Sequence, residues 1–242
     1  MGKYIKLFST TAEYDNAKGS LDLPNVSVCE DALTTVHYNP YVDPYNGHDY
    51  VEIGGLKWAT MNIGASQPTD AGLYFQWGDI SGYTVAQVGT DKVFNWANYK
   101  YCDGTSSNMT KYNATDGLTT LEAVDDAAVA NWGGSWRMPT NDELKAFITA
   151  TNSTWTDDYQ STGVAGRVFT AKDGSGAQLF FPAAGECDNS SVKDVGSIGY
   201  YWSSSLYTDV RRQAYRINLG FINGIGINYD RYHGYSVRPV VG

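Results

Sequence analysis

The chain has 242 residues, a formal net charge of −9 and an aromatic content of 14%. A fold of this length buries roughly 70% of its unfolded surface, so its core needs no support from disulfides. The net negative charge and the absence of any run of Lys or Arg argue against a basic surface that contacts the phosphates of a nucleic acid. Nucleic acid is therefore not an expected partner.

The cysteines and the hydropathy pattern limit the compartment and the redox chemistry. Cys29, Cys102 and Cys187 are far apart, form no CxxC motif, and are interpreted as free, buried thiols. No stretch of eighteen consecutive apolar residues occurs, and residues 1–8 alternate polar and apolar types. We therefore expect a soluble protein without membrane insertion and without a cleaved signal peptide.

The first 45 residues predict a small separate module. Residues 3–8 alternate like a strand, and Thr10 with Glu13 has the form of a capping box that opens a brief helix. Two further strand-like runs, 25–30 and 34–38, precede a segment rich in Pro, Asn, Asp and Gly at 39–48. The sequence predicts an N-terminal β-rich attachment module at 1–45 and a second domain at 46–242.

The second domain is predicted to begin with a hairpin and continue in long loops. Two strand-like runs, 50–53 and 56–60, flank a Gly-Gly pair that tolerates the positive φ of a tight turn. Residues 66–112 are rich in Gly, Asp, Asn, Thr and Ser, interrupted by single large aromatic residues: Trp77, Phe94, Trp96 and Tyr101. These residues are predicted to pin the loops to the core.

Two helices follow. Four apolar residues at helical spacing predict the first helix, with a Gly-Gly stop at 133–134: Leu121, Val124, Ala128 and Trp132. Thr140 and Glu143 form a capping box for the second helix, whose predicted inward residues are Leu144, Phe147 and Ile148.

Strand patterns return after Val168. The expected strands are 177–181, 200–203, 214–221, 225–228 and 235–240. Asn223-Gly224 is expected to form the turn of a hairpin between Ile222 and Ile225. Together these elements predict an α+β domain.

Six motifs in the second domain carry a family resemblance. They are LKWATMNIGA at 56–65, YFQWG at 74–78, WRMPT at 136–140, FPAAG at 181–185, YWSSS at 201–205 and SVRPV at 236–240. Together they resemble the Fibrobacter succinogenes major paralogous domain, which is common in gut Bacteroidetes and related to the formylglycine-generating-enzyme branch of the C-type-lectin fold. The resemblance implies a C-type-lectin-like fold with two helices, antiparallel strands and long loops.

Within that group the chain is most similar to the variable proteins of diversity-generating retroelements, including those of gut Bacteroides phages and prophages. In such proteins a C-terminal segment is rewritten by adenine-directed mutagenesis while the scaffold stays fixed. The runs YIKLF at 4–8, LPNVS at 23–27 and VHYNP at 36–40 also resemble the start of phage structural proteins that bear these domains. The resemblance implies a hypervariable segment at about 200–235.

The residues of that segment agree with a presented surface. Tyr215, Ile217 and Leu219 alternate with Arg216 and Asn218, so one face of the strand packs and the other is presented. Beyond the strand the residue types have no period, and many are reachable by replacing adenines in an Asn codon. The expected ligand-binding residues, predicted to form one exposed patch, are Tyr207, Asp209, Arg211, Arg212, Arg216, Asn218, Ile222, Asn223, Ile225, Ile227, Tyr229, Asp230, Tyr232 and His233.

Motifs for catalysis and for cofactors are missing from the sequence. The related formylglycine-generating enzymes act through a pair of nearby cysteines, and no spacing brings Cys102 and Cys187 together. No G-x-S-x-G or H-E-x-x-H motif occurs, and the acid pairs Asp125-Asp126 and Asp157-Asp158 lack the calcium-loop form and are expected to be solvated. We expect no enzymatic activity, no cofactor and no metal.

The leading functional hypothesis is a receptor-binding protein of a phage or prophage, carried at the tail tip of the virion. Its ligand would be a bacterial surface protein or glycan, and any homo-oligomer is expected to form through the N-terminal module. The alternative is a fixed-specificity adhesin or structural protein on the bacterial cell surface, with an enzyme as the third possibility.

Overall fold

The computed structural model describes residues 45–220 and 223–242, with the backbone but not the side chains of residues 223–226. All of these residues belong to one compact unit that ends at Gly242. The predicted N-terminal module lies outside the described residues except for Tyr45, and Ile222 also lies outside them.

The described residues form a mixed helix and strand domain, as the sequence predicts. Two α-helices are present, α1 at Ala127–Trp132 and α2 at Asn141–Ala150. The strands are β1 Tyr50–Ile53, β2 Leu56–Ala59, β3 Thr151–Thr156, β4 Gly166–Ala171, β5 Gln178–Pro182, β6 Glu186–Asp188, β7 Ser191–Lys193, β8 Gly199–Leu206, β9 Gln213–Leu219, β10 Asn223–Asp230 and β11 Val240–Val241. No helix in these residues is both long and apolar enough to cross a membrane.

The strands pair antiparallel in four small sheets. Their orders are β1-β2-β11, β10-β9-β8, β3-β4-β5 and β6-β7. The sheet β10-β9-β8 lies between two hydrophobic clusters. Tyr201, Ile217 and Leu219 pack into one cluster, while Trp202 and Ala214 pack into the other. This sheet therefore positions the segment that the sequence singles out.

The predicted hairpin and the pinned loops are confirmed. Gly54 and Gly55 have φ values of 63° and 82° between β1 and β2, as a primed turn requires. Between β2 and α1 the described chain contains short 3-10 turns and isolated β-bridges, and it contributes no strand to the four sheets. Trp77 and Phe94 in this stretch are fully buried.

The Trp residues of four of the six motifs, together with Val237 of a fifth, are all buried. Trp58, Trp77, Trp136, Trp202 and Val237 each have 0% exposure. Each of the four indole N–H groups donates to a backbone carbonyl, on Ile53, Ser203, Tyr45 and Phe75 respectively. A buried Trp with its polar group satisfied contributes packing energy without a desolvation penalty, so these residues connect distant segments of the domain.

The second helix begins as predicted and the first does not. The Thr140 side chain accepts a hydrogen bond from the Glu143 amide, and a capping box opens α2. The first helix starts only at Ala127, because Asp126 has extended backbone geometry and its side chain caps the first turn. Val124 precedes that cap in a separate 3-10 turn and is 70% exposed, so its predicted place on the helix face is wrong.

The predicted turn at Asn223-Gly224 is also wrong. Asn223 pairs with Leu219 and Gly224 with Asn218, so both belong to β10. Just after β9, the carbonyl of Gly220 accepts hydrogen bonds from the buried Arg167 side chain, at 2.7 and 3.0 Å. That carbonyl is therefore held by β4.

The last predicted strand, 235–240, is reduced to β11 at its end. The carbonyls of Tyr235, Ser236 and Val237 accept hydrogen bonds from Phe75, Trp202 and Ile63, which lie on three different segments. The run is thus an extended segment in the core that pairs with several segments instead of with one neighbouring strand. Apolar content predicted its burial but could not indicate how many partners share its backbone.

Candidate ligand-binding surface

The residues expected to bind a ligand lie on the β8–β9 turn, on β9 and β10, and on the segment after β10. Eleven of the fourteen have described side chains, because Ile222 lies outside the described residues and the side chains of Asn223 and Ile225 are not described. Two clusters of contacts lie on either side of β10, one at the β8–β9 turn and one around Arg216. β10 is the edge strand of its sheet.

The first group surrounds the β8–β9 turn. Arg212 Nε lies 3.2 Å from Asp230 Oδ1, which joins the turn to the end of β10. Arg211 Nη1 donates to the carbonyl of Asn113 at 2.8 Å. Tyr207 packs edge-on against Tyr215 at 5.4 Å between ring centroids. Asp209 and Arg212 are exposed, and the group presents both charges and an aromatic ring.

The second group is centred on Arg216. Its guanidinium carbon lies 4.3 Å from the ring centre of Tyr200, 4.7 Å from Tyr229 and 5.1 Å from Tyr235. A guanidinium over an aromatic face is stabilised by the ring quadrupole. Arg216 is only 7% exposed, whereas Tyr229 above it is 39% exposed. We call Arg216 with these three tyrosines the Arg216 cage.

Acidic groups from the β6–β7 hairpin lie next to the Arg216 cage. Glu186 Oε2 is 3.4 Å from His233 Nδ1. Burial opposes ionisation of Glu186, but His233 and the charge of Arg216 outweigh it and lower the pKa of that carboxyl. Asp188 accepts a hydrogen bond from Lys193 at 2.6 Å, which lowers the pKa of Asp188 against the opposing effect of burial.

Exposure in this region is lower than expected, because three of the eleven described residues are exposed, six are half-buried and two are buried. The exposed residues are Asp209, Arg212 and Tyr229, and the half-buried ones are Tyr207, Arg211, Asn218, Ile227, Asp230 and Tyr232. Arg216 and His233 are buried, at 7% and 4% exposure, because the tyrosine rings cover them. The predicted exposed patch is thus only partly exposed, with Arg216 and His233 beneath it.

Sequence reasoning did not identify the supporting residues Glu186, Asp188 and Lys193. They lie on β6 and β7, each three residues long, which is too short to give a periodic signal. Their proximity to β9 and β10 depends on the bridge between Cys187 and Gly234. This bridge pairs residues that are far apart in the sequence, and no local sequence pattern predicts it.

A second polar cluster surrounds Asp125, and it corrects the expectation that Asp125 and Asp126 are solvated. They are 3% and 4% exposed. Asp125 accepts hydrogen bonds from the hydroxyls of Tyr101 and Tyr112 and from Lys111. Burial opposes ionisation, yet these donors lower the pKa of Asp125 to about 2. The cluster holds the loop of residues 99–112 against the 3-10 turn before α1.

The other acid pair is exposed as expected. Asp157 and Asp158 lie at the surface after β3. In the described part of the chain, no group of three or more His, Cys, Asp or Glu side chains has the arrangement of a metal site.

The described cysteines are free, and Cys187 is buried while Cys102 is half-buried. Burial raises the pKa of both thiols, which disfavours the reactive thiolate form.

Comparisons of the chain with models of protein families, with curated proteins and with solved structures find no match.

Proposed function

We propose that this protein is a non-enzymatic receptor-binding protein with a C-type-lectin-like domain at 46–242. In this proposal, residues 200–235 form the surface diversified by a retroelement, and the protein sits at the tail tip of a gut Bacteroides phage. Two helices, small antiparallel sheets and long loops pinned by buried Trp side chains support the fold assignment.

The observation that carries the proposal is the contrast between the ends of the segment and its middle. Trp202 near its start and Tyr235 at its end are fully buried and pack against each other at 4.2 Å. Between them, Asp209, Arg212 and Tyr229 are exposed. Because buried residues and backbone pairing hold the segment, the exposed side chains can change without unfolding the domain.

The side-chain types at the surface suit recognition. Tyr207, Ile227, Tyr229 and Tyr232 offer aromatic and aliphatic area, and Arg212 adds a charge. Tyr and Arg are enriched in the residues that dominate binding energy at protein interfaces, and Tyr offers large contact area with little side-chain entropy to lose. A cell-surface molecule is the ligand class that such a surface at a tail tip would contact.

The stability test is a combined variant, Tyr207→Asn, Asp209→Asn, Arg212→Asn and Tyr229→Asn. Because these side chains are exposed or half-buried, the free energy of unfolding should fall by no more than about 2 kcal/mol, measured by urea denaturation. The matched control Trp202→Ala, a change in the buried scaffold, should cost about 3–5 kcal/mol. Unfolding of the combined variant would contradict a surface that tolerates diversification.

The binding test uses the same variant, fluorescently labelled, on a panel of intact gut Bacteroides strains. Wild-type protein should bind at least one strain in flow cytometry, and the variant should lose that binding while remaining folded. Unchanged binding by the variant would place the recognition surface elsewhere. In the surrounding DNA, a near-copy of the codons for 200–235 beside a reverse transcriptase gene should be present, and its absence would support the fixed adhesin.

A further inference from the structure

We propose that the Arg216 cage is the subsite that binds a carboxylate, supplied by an acidic side chain of a protein receptor. This inference rests on the proposed function, because it assigns a ligand chemistry to one part of the same surface.

Arg216 lacks the partners that a buried guanidinium requires. Its Nε and Nη1 are buried and have no hydrogen-bond partner among the described residues. The Nδ1 of His233 lies 3.4 Å from Glu186, and the hydroxyl of Tyr235 also interacts with that carboxylate, so among the described residues of this region the guanidinium is the group that lacks a polar partner. A buried guanidinium without hydrogen-bond partners is rare in native proteins, and its position beneath the exposed Tyr229 indicates a site that a ligand completes.

The neighbouring acids do not supply the missing partner. No described carboxylate lies within ion-pair distance of Arg216, although Glu186 is near enough to be affected by its charge. Glu186 is placed against His233 at 3.4 Å. Asp188 is held by Lys193, and Asp194 accepts a hydrogen bond from the Tyr200 hydroxyl at 2.9 Å. Each acid around the cage therefore has a contact of its own.

The chemistry of the cage selects a planar oxyanion. Arg stays protonated in proteins, and an uncompensated buried charge is strongly destabilising until an opposite charge arrives. Its planar fork of N–H groups matches the two oxygens of a carboxylate. The rings of Tyr200 and Tyr235 hold the guanidinium plane in place, so little side-chain entropy remains to be lost on binding.

Access to the cage is by way of Tyr229. Of the three rings it alone is exposed, at 39%, whereas Tyr200 and Tyr235 are 6% and 0% exposed. Movement of the Tyr229 side chain would uncover the guanidinium from the surface. Tyr229 belongs to the edge strand β10, and its ring packs edge-on against His233 at 4.6 Å between ring centroids.

The surroundings of the cage favour a protein as the source of the carboxylate. Half-buried Ile227 and Tyr232 flank the exposed Tyr229, and Arg212 lies at the end of the same strand through its contact with Asp230. Aromatic residues and Arg are enriched at protein–protein interfaces. The flanking apolar groups exclude water, which strengthens the ion pair between Arg216 and an incoming carboxylate.

The test titrates the folded protein with sodium acetate at constant ionic strength, followed by NMR. The reporters are the Nε–H resonance of Arg216 and the backbone amides of Ile227 and Tyr229. We expect saturable shifts with a dissociation constant in the millimolar range, and no shifts with the neutral isostere acetamide. N-acetylglutamate should bind more tightly than glucuronate.

Two variants identify the residue responsible. Arg216→Gln should abolish the response of the amides of Ile227 and Tyr229. Lys145→Gln, which removes an exposed cation on α2 outside the proposed binding surface, should leave that response intact. If Arg216→Gln does not fold, Arg216→Lys serves instead, and it should weaken acetate binding because the ammonium lacks the planar fork.

The remaining outcomes overturn the inference. Absence of saturable shifts in the wild-type protein, or an equal response to acetamide, would mean that the cage is a structural cation stack. Preference for glucuronate would move the source of the carboxylate to an acidic glycan. The proposed function fails separately, through unfolding or undiminished cell binding of the surface variant Tyr207→Asn, Asp209→Asn and Arg212→Asn, which keeps Tyr229 and the rest of the Arg216 cage.

Discussion

At the scale of single residues, Asp125 shows how burial changes the role of an acid. Its carboxylate is 3% exposed and accepts from two tyrosine hydroxyls and from Lys111 and Lys100. A paired acid of this kind stabilises the fold only while it is ionised. The sequence shows two adjacent acids and does not show that donors from residues 100–112 surround one of them.

Asp125→Asn should therefore lower the free energy of unfolding by about 3 kcal/mol at neutral pH, because it leaves a buried site without its charge. The pKa of Asp125 falls from 3.8 to about 2 on folding. The stabilisation is therefore complete above about pH 4 and is lost as the pH falls towards 2.

Urea denaturation of both proteins between pH 2 and 7 measures this difference. The gap in stability between wild type and Asp125→Asn should close as the pH falls towards 2. A gap that is constant with pH would show that packing, and not the charge of Asp125, stabilises the cluster.

At the scale of elements, Asp126 decides where α1 begins and what it contacts. Its Oδ1 accepts from the amides of Ala128 and Val129, and its Oδ2 accepts from the amide of Met138 at 2.8 Å. One side chain thus caps the helix and attaches it to the segment that leads into α2. Apolar spacing alone extends the helix back to Leu121, because a periodic pattern contains no information on such a cap.

Asp126→Ala should lower the free energy of unfolding by about 2–3 kcal/mol, since it removes the helix cap and leaves the buried Met138 amide without an acceptor. Asp142→Ala is a suitable control, because its side chain is 89% exposed in the first turn of α2. That change should stay within about 0.5 kcal/mol of wild type. Equal effects of the two substitutions would show that the cap is dispensable.

At the scale of the whole molecule, the domain is expected to fold and bind without a metal or cofactor. The described residues hold no cluster of candidate metal ligands. Treatment with EDTA followed by dialysis should leave the midpoint of thermal unfolding unchanged, measured by circular dichroism. A lower midpoint that calcium or zinc restores would reveal a metal site and refute this expectation.

Elements whose signals are local can be predicted from the sequence alone. The Gly-Gly hairpin between β1 and β2, the capping box of α2 and the burial of Trp77 and Phe94 are confirmed, because turn chemistry, side-chain capping and hydrophobicity act within a few residues. The predicted mixture of helices with antiparallel strands followed from the same patterns. β3 and β4 are not among the predicted strands, and β3 is a largely polar edge strand with little apolar alternation.

Features that depend on contacts between distant segments cannot be read from local sequence patterns. Arg167 on β4 holds the carbonyl of Gly220 after β9, and the bridge from Cys187 to Gly234 brings Glu186 to His233. The three tyrosines that enclose Arg216 come from β8, β10 and the segment after it. Alternation along β9 assigns Arg216 to the presented face. Its burial follows from rings that are contributed by other strands, and a pattern read along one strand does not contain them.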